Sequence, residues 1–94
     1  MVSDTSRGVL TFEEKHLIAI MLFLSINGRC RKIDIYQNVS SNPRIPEKLD
    51  RLEALGLLIQ ESDPNHRSIM ISLTPKGVEV AEKLADLDKV IKST

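Results

Sequence analysis

The stretch from Lys32 to Leu58 constrains the fold of this chain more than any other part of its sequence. It consists of three segments, KIDIYQNV, SSN and PRIPEKLDRLEALGLL. In the last segment Ile45, Leu49 and Leu52 recur at i, i+4 and i+7, so a helix would bury all three on one face. The stretch therefore predicts two short helices joined by a tight turn, with the outer face of the second helix available to a partner.

Residues with special backbone preferences mark both ends of the second helix. Asn42 suits the N-cap, and Pro43 suits the first helical position because its missing N–H would have no helical acceptor. Gly56 ends the helix where a left-handed residue is favourable. Such a pair of helices resembles a helix-turn-helix, and the resemblance implies that the second helix, here about residues 43–55, would lie against DNA. The turn residues are Ser40, Ser41 and Asn42. The sequence is compatible with two roles for them, binding a phosphate or simply capping the helix.

The length and composition indicate one small domain. A chain of 94 residues buries only about 60 to 65% of its unfolded surface, so its stability is modest without an added interaction. Hydrophobic residues make up 41% of the sequence and charged residues 28%, which is typical of folded chains. We expect a flexible arm over residues 1–10 and a domain over residues 11–94 that gains stability by forming dimers.

No segment has the pattern of a membrane span, a metal site or an enzyme active site. The apolar run from Leu17 to Leu24 is far shorter than the roughly 20 residues that cross a bilayer, and no secretory signal is present, so we expect a cytoplasmic protein. The single Cys30 cannot form an internal disulfide and suits a buried hydrophobic position better than a redox switch. Neither a glycine-rich phosphate loop nor a nucleophile–histidine motif occurs, so we expect no enzyme, metal or cofactor.

The first helix is predicted from a capping box. Thr11 and Glu14 have the spacing at which each side chain bonds a free backbone N–H at a helix start. The helix should run from Thr11 to about Ile26. Because residues 17–24 are apolar on every side, we expect it to be covered all round, by its own core or partly by a second protomer. Its residues expected at a dimer contact are Leu17 and Met21.

A very short strand and a second helix are predicted next. Residues 28–31 suit a strand with Cys30 pointing inwards. Residues 32–39 suit a helix that buries Ile35 and Val39 at i and i+4. Tyr36 lies at the edge of this helix, where phosphate binding and packing are equally compatible with the sequence.

After Gly56 the apolar period changes to that of β-strands. The segments LLIQES and SIMISLT predict a hairpin, and the loop at residues 63–67 begins with Asp-Pro, which favours a turn. The hairpin residues expected to face the core are Leu57, Ile59, Ile69, Ile71 and Leu73. The tip residues that could reach DNA, although an exposed polar loop needs no ligand, are Asn65, His66 and Arg67.

A long helix is predicted over residues 75–92. Thr74 suits its N-cap and Pro75 its first position. Its apolar residues are spaced four, three and four apart, as in a coiled-coil seam. The seam consists of Val80, Leu84, Leu87 and Ile91. This pattern favours a dimer contact, and a helix that only closes its own domain is the alternative.

The order of these elements resembles the winged helix-turn-helix transcriptional regulators, especially the small archaeal ones and the MarR and PadR groups. The most similar segments are KLDRLEALGLLIQ, residues 48–60, and LTPKGVEVAEKL, residues 73–84. The resemblance implies an α+β winged helix with a three-helix core, a two- to three-stranded wing and a long C-terminal helix, dimerising through its terminal helices. It implies DNA contacts from Asn42, Arg44, Glu47, Lys48 and Arg51 on the recognition helix and from Asn65, His66 and Arg67 on the wing.

The charge pattern leaves the partner open. The net charge is zero, so attraction to DNA would have to be local. From residue 29 to residue 51, six basic residues (Arg29, Arg31, Lys32, Arg44, Lys48, Arg51) oppose three acidic ones (Asp34, Glu47, Asp50). However, the direction opposite the buried face of the second helix passes through Glu47 and Asp50, so that face is mixed.

We expect a sequence-specific regulator that binds double-stranded DNA as a dimer, with residues 43–55 in the major groove and the wing at the backbone or minor groove. Arg44, Lys48 and Arg67 would bind phosphates, and Arg51 or Glu47 would reach base edges. With about three phosphate contacts per protomer, affinity should fall near the sixth power of salt concentration. The alternative is a winged-helix module that binds proteins without DNA. An apolar groove between dimer helices could also hold a small hydrophobic effector.

Overall fold

The residues described in a computed structural model, 8–65 and 67–93, form four α-helices, one 3₁₀-helix and a three-stranded antiparallel sheet. The helices are α1 (Leu17–Asn27), α2 (Lys32–Asn38), α3 (Ile45–Ala54) and α4 (Pro75–Lys92), and the 3₁₀-helix is Val9–Glu13. The strands are β1 (Cys30–Arg31), β2 (Leu58–Asp63) and β3 (Ser68–Leu73). β3 lies in the middle, between β1 and β2. This arrangement confirms the predicted α+β winged helix, with β2 and β3 as the wing.

The first helix begins later than the sequence predicts. Residues 9–13 form a 3₁₀-helix, and His16 adopts a left-handed backbone with φ of 73° before α1 starts at Leu17. The predicted capping box of Thr11 and Glu14 is therefore wrong, because the side chain of Glu14 binds a distant part of the chain. Residues 1–7, most of the predicted arm, lie outside the described residues, as do His66 and Thr94.

The core forms around one face of α1. Leu17, Ile20, Met21 and Leu24 of this face are buried. They belong to one cluster with residues of the other elements: Ile35, Ile45, Leu49, Leu52, Leu58 and Ile71. The burial of all three anchor residues of α3 confirms its predicted inner face. On the other side of α1, Ile18 and Ile26 are not covered by the described residues.

The wing differs from the prediction in its phase. β2 begins at Leu58, which pairs with Leu73 and is buried, while Ile59 is exposed. The prediction for Ile59 is wrong because the alternation of side chains begins at Leu58, which faces the core, so Ile59 points to the other side. Leu57 is also buried, but it lies before the strand and outside this alternation. Ile69 is also exposed, because it pairs with Ser62 near the hairpin tip, beyond the core.

Three residues predicted at a dimer contact are instead part of the core. Leu17 and Met21 are completely buried within one chain, because α1 turns this face towards the other elements. On α4, Leu84 is also buried, whereas Leu87 and Ile91 of the predicted seam are exposed.

None of the helices in the described ranges has the length and apolar character needed to cross a membrane.

Gly77 allows α4 to start close to the end of α3. A Cβ atom at this position would lie 1.8 Å from the carbonyl oxygen of Leu57. The backbone N–H of Thr74 donates to the same oxygen at 3.1 Å. The hydroxyl of Thr74 accepts from the N–H of Gly77 at 2.9 Å, as a helix N-cap does. This contact fixes α4 against the segment that joins α3 to the wing.

Replacing Gly77→Ala should destabilise the fold. Helix propensity alone would favour alanine by about 1 kcal/mol, but the added methyl group meets backbone that cannot rotate away. We expect the free energy of unfolding to fall by about 2 to 4 kcal/mol, measured by urea denaturation. Glu79→Ala, on an exposed position of the same helix, is the matched control. A Gly77→Ala variant at least as stable as the parent would contradict the close packing.

Candidate nucleic-acid interface

The outer face of α3 carries opposite charges. Arg44 and Glu47 are largely exposed, and Arg44 Nη1 lies 3.8 Å from Glu47 Oε1. Asp50 and Ala54 are exposed further along the helix. A surface ion pair of this kind contributes little stability, so both side chains at the start of the helix can change partners.

The turn before α3 is held by its own side chains. Ser40 Oγ accepts from the backbone N–H of Asn42 at 3.1 Å, and Asn42 Oδ1 accepts from the N–H of Arg44 at 2.8 Å. The helix starts at Ile45, two residues after the predicted Pro43, because Asn42 caps a preceding turn that contains Pro43. Ser40 and Asn42 therefore stabilise the turn, while Ser41 is exposed. The predicted N-cap at Asn42 is wrong, because Arg44 occupies the N-cap position and its side chain makes no capping bond.

Lys48 does not lie on the outer face. Its side chain is only 8% exposed, and its Nζ is 3.0 Å from Glu14 Oε2. The prediction that Lys48 faces DNA is wrong, because its side chain is buried. Lys48 lies three residues after Ile45 and four before Leu52, so its side chain is at the edge of the buried face of α3. The other oxygen of Glu14 is 2.7 Å from Arg51 Nη1. The side chain of Arg51 is 54% exposed.

Gln60 of β2 connects the wing to the opposite flank of α3. Its Nε2 donates to Asp50 Oδ1 at 2.9 Å and to Glu53 Oε1 at 3.0 Å. Its backbone N–H donates to Glu53 Oε2 at 3.3 Å. These bonds satisfy two of the acidic side chains on α3 and fix the helix relative to the wing.

The wing tip is a tight turn that exposes polar side chains. Asp63 Oδ1 accepts from the backbone N–H of Asn65 at 2.9 Å, and Arg67 has a left-handed backbone with φ of 51°. Asn65 and Arg67 are both exposed. His66, also predicted to contact DNA, lies outside the described residues.

A basic groove runs between α2 and the wing. It has a volume of about 400 Å³, and the residues that line it are Arg31, Lys32, Ile33, Tyr36, Arg67, Ser68 and Ile69. No acidic side chain is among these described lining residues. The structure thus brings Tyr36 together with Arg67, as expected of a shared partner, and adds Lys32. Lys32 was not among the predicted DNA contacts, although the sequence places it in a basic stretch with Arg29 and Arg31.

The Arg31–Asp34 pair orders the entrance to α2. Asp34 accepts from Arg31 through the backbone N–H at 2.9 Å, Nε at 3.3 Å and Nη2 at 3.1 Å. These hydrogen bonds lower the pKa of the Asp34 carboxyl, and the positive charge of Arg31 adds to the effect. Burial raises the pKa of the neighbouring Cys30 thiol, with a contribution from the Asp34 charge. The raised pKa disfavours the reactive thiolate, and Cys30 is buried, which favours the predicted buried hydrophobic role.

A second cavity of about 580 Å³ lies beside this pair. Its residues include Phe23, Arg29, Cys30, Asn38 and Met70. It thus combines apolar side chains with hydrogen-bond donors. Within residues 8–65 and 67–93, no three His, Cys, Asp or Glu side chains cluster as metal ligands would.

Known structures share this arrangement. The transcriptional regulator homologue protein from Pyrococcus horikoshii OT3 is similar with a TM-score of 0.75 and 19% identity, over 94% of this chain and 91% of that one. MarR is similar with a TM-score of 0.74 and 18% identity, over 89% of this chain and 59% of MarR. Bordetella bronchiseptica BpsR, whose DNA binding is regulated by 6-hydroxynicotinic acid, is similar with a TM-score of 0.69 and 22% identity, over 82% of this chain and 60% of BpsR.

These likenesses show a shared winged-helix fold. This chain spans about 60% of the length of MarR and BpsR. No protein-family model and no curated protein matches the sequence.

The Asp34 carboxylate should make stability depend on acid. Because its pKa is lowered in the folded state, its stabilising effect is complete above the ordinary value of 3.8 and is lost as pH falls through the lowered pKa. We expect Asp34→Asn to unfold at lower urea than the parent near neutral pH, and the difference to shrink below pH 3.8. An equal difference at both pH values would contradict this role for the carboxylate.

Proposed function

We propose that this protein is a transcriptional regulator that binds double-stranded DNA as a dimer. α3 would enter the major groove, and the wing tip would contact the backbone or the minor groove. The winged-helix fold, shared with regulators that include BpsR, supports the proposal. The proposal assigns no catalytic chemistry to the chain.

The basic groove between α2 and the wing is the observation on which the proposal rests. Lys32 and Arg67 lie in it with the phenol of Tyr36, and acidic side chains are absent from its described lining. In a neutral chain this local excess of positive charge is what a phosphate backbone would recognise. The groove is next to the wing, so a backbone seated there would contact the wing tip through Arg67.

Base contacts would come from the exposed side chains of α3. Arg44 and Arg51 are cations at its start and side, and either could donate to guanine. Glu47 could accept from cytosine N4 at a position where it does not face a phosphate. Ser41, Asn65 and His66 remain proposed backbone contacts, while Lys48 is omitted because it is buried.

The last turns of α4 are the proposed dimer surface. Leu87, Val90 and Ile91 are exposed there, after the last buried residue, Leu84. Burying one such side chain contributes about 1.5 to 3 kcal/mol, so two copies of this patch would provide a substantial association energy. A dimer of this kind would present two α3 helices to the two halves of a pseudo-palindromic site.

A small-molecule effector is also part of the proposal. BpsR, a structural neighbour, is regulated by 6-hydroxynicotinic acid. In this chain the cavity near Phe23 and Arg29 is large enough for a small aromatic ligand. It adjoins β1 and α2, so a ligand there could alter the basic groove through Arg31.

The acidic side chains of α3 favour a second candidate function. Glu47, Asp50 and Glu53 lie on the surface of the helix, and negative charge is repelled by phosphate. A module that binds a basic protein segment through this face is the alternative to DNA binding.

Three cations line the groove, and one of them, Arg31, is paired with Asp34. Removing the other two should separate these functions. We expect Lys32→Ala combined with Arg67→Ala to weaken binding to duplexes selected from a randomised pool. A dimer would lose about four phosphate contacts, so the slope of log affinity against log salt should become shallower by roughly 3.6. The measurement is fluorescence anisotropy at several salt concentrations.

The control for this experiment is Lys83→Ala combined with Lys89→Ala on exposed positions of α4, which should leave the slope unchanged. An unchanged slope in the groove variant would exclude the groove as a phosphate site. If the parent protein binds no duplex at micromolar concentration, DNA binding is wrong and the protein-binding alternative is favoured.

Charges placed in the apolar patch of α4 should prevent dimerisation. In Leu87→Glu combined with Ile91→Glu, the buried interface would contain unpaired carboxylates. We expect sedimentation equilibrium to give a dimer for the parent and a monomer for this variant. Lys83→Glu changes the charge of the same helix at an exposed position outside the patch and should remain dimeric. A monomeric parent, or a dimeric double variant, would refute this interface.

A further inference from the structure

Glu14 connects the segment before α1 to the recognition helix. It follows the 3₁₀-helix, 34 residues before Lys48 in the sequence. One carboxylate oxygen is 3.0 Å from Lys48 Nζ, and the other is 2.7 Å from Arg51 Nη1. A single carboxylate therefore bridges two cations of α3, of which one is buried and the other is half exposed.

The charges of this triad leave Arg51 attractive to an anion or an acceptor. Lys48 and Glu14 form a neutral pair, because Lys48 is almost fully enclosed and its ammonium group bonds the carboxylate. The triad as a whole has a net charge of one positive unit, located on the exposed guanidinium. Glu14 bonds one terminal nitrogen of that group, and a guanidinium has five N–H donors in a rigid plane. The bond therefore orients Arg51 without using all its donors.

We propose that Glu14 and Lys48 are positioning residues that hold Arg51 to read one guanine in each half-site. An arginine guanidinium recognises guanine by two parallel hydrogen bonds to O6 and N7, a geometry that depends on the orientation of its plane. Glu14 restricts that plane, and Lys48 holds Glu14 in place. This inference rests on the proposed DNA-binding function and adds a residue outside the helix-turn-helix to it.

A purely structural brace would behave differently from a positioning contact. A brace would affect folding and affinity for all sequences alike. A positioning contact affects the preference for one base pair, while non-specific binding and its salt dependence stay the same, because Glu14 touches no phosphate. The ratio of affinities for two duplexes that differ at one base pair therefore distinguishes the two roles.

The first experiment identifies the base that Arg51 reads. Sequences bound by the parent and by Arg51→Ala are selected from randomised duplex DNA. We expect the parent to require guanine at one position of each half-site, and Arg51→Ala to lose that preference. Replacing this guanine should cost the parent about tenfold in affinity per half-site, within the range for a bidentate contact.

The second experiment tests Glu14. Glu14→Gln should lower the guanine preference several-fold at this position only, with the same salt slope on non-specific DNA as the parent. Glu13→Gln, which replaces the neighbouring exposed carboxylate, should keep the full preference. Lys48→Met should resemble Glu14→Gln. All variants are compared at a temperature where circular dichroism shows them folded.

A third measurement examines the contact in the absence of DNA. Nitrogen-15 NMR measures rotation of the Arg51 guanidinium about the Nε–Cζ bond, which should be slow in the parent and faster in Glu14→Gln.

A parent that selects guanine through Arg51, with Glu14→Gln unchanged in preference, would overturn this inference and leave the DNA-binding proposal intact. A parent that rotates as freely as Glu14→Gln would also overturn it. Failure of the parent to bind any duplex would overturn both proposals.

Discussion

Burial of Ile45, Leu49 and Leu52 is the interaction on which the rest of this structure depends. A helix of ten residues is not stable in water by itself, so α3 takes both its conformation and its orientation from this packing. The same packing places the side chain of Lys48 at the edge of the core. A buried ammonium group without a partner would be strongly unfavourable, and the carboxylate of Glu14 supplies the partner. The segment before α1 places Glu14 beside α3, and α1 begins only at Leu17.

The wing is positioned by a similar compensation on the opposite flank of α3. Asp50 and Glu53 both accept hydrogen bonds from Gln60, so two negative groups are satisfied by one amide on β2. Charge-assisted hydrogen bonds of this kind are stronger than neutral ones, and they link α3 directly to the wing. Gln60 thus holds α3 and the wing together on one side, and Glu14 holds α3 to the N-terminal segment on the other side. On the proposed function, α3 and the wing are the two elements that would contact a duplex.

Much of the fold was predictable because apolar periodicity records burial. The spacing of Ile45, Leu49 and Leu52, the stop at Gly56 and the cap at Thr74 all determined the correct elements. The errors arose where a tertiary partner replaced a local one. Glu14 has the correct spacing for a cap, but its distant cations are stronger partners. The burial of Lys48 was implied by its spacing from Ile45 and Leu52, whereas its pairing with residue 14 could not be inferred from the sequence alone.

The distribution of charge explains how a neutral chain could still recognise DNA. A uniformly basic surface would bind any duplex, and its affinity would come mostly from released counterions. Here the accessible positive charge lies in the groove of Lys32 and Arg67, while α3 exposes both signs and keeps Lys48 away from solvent. On the proposed function, the groove would align the backbone with a modest non-specific affinity. Discrimination would then depend on a few oriented side chains of α3, so the orientation of Arg51 by Glu14 would affect sequence preference more than total affinity.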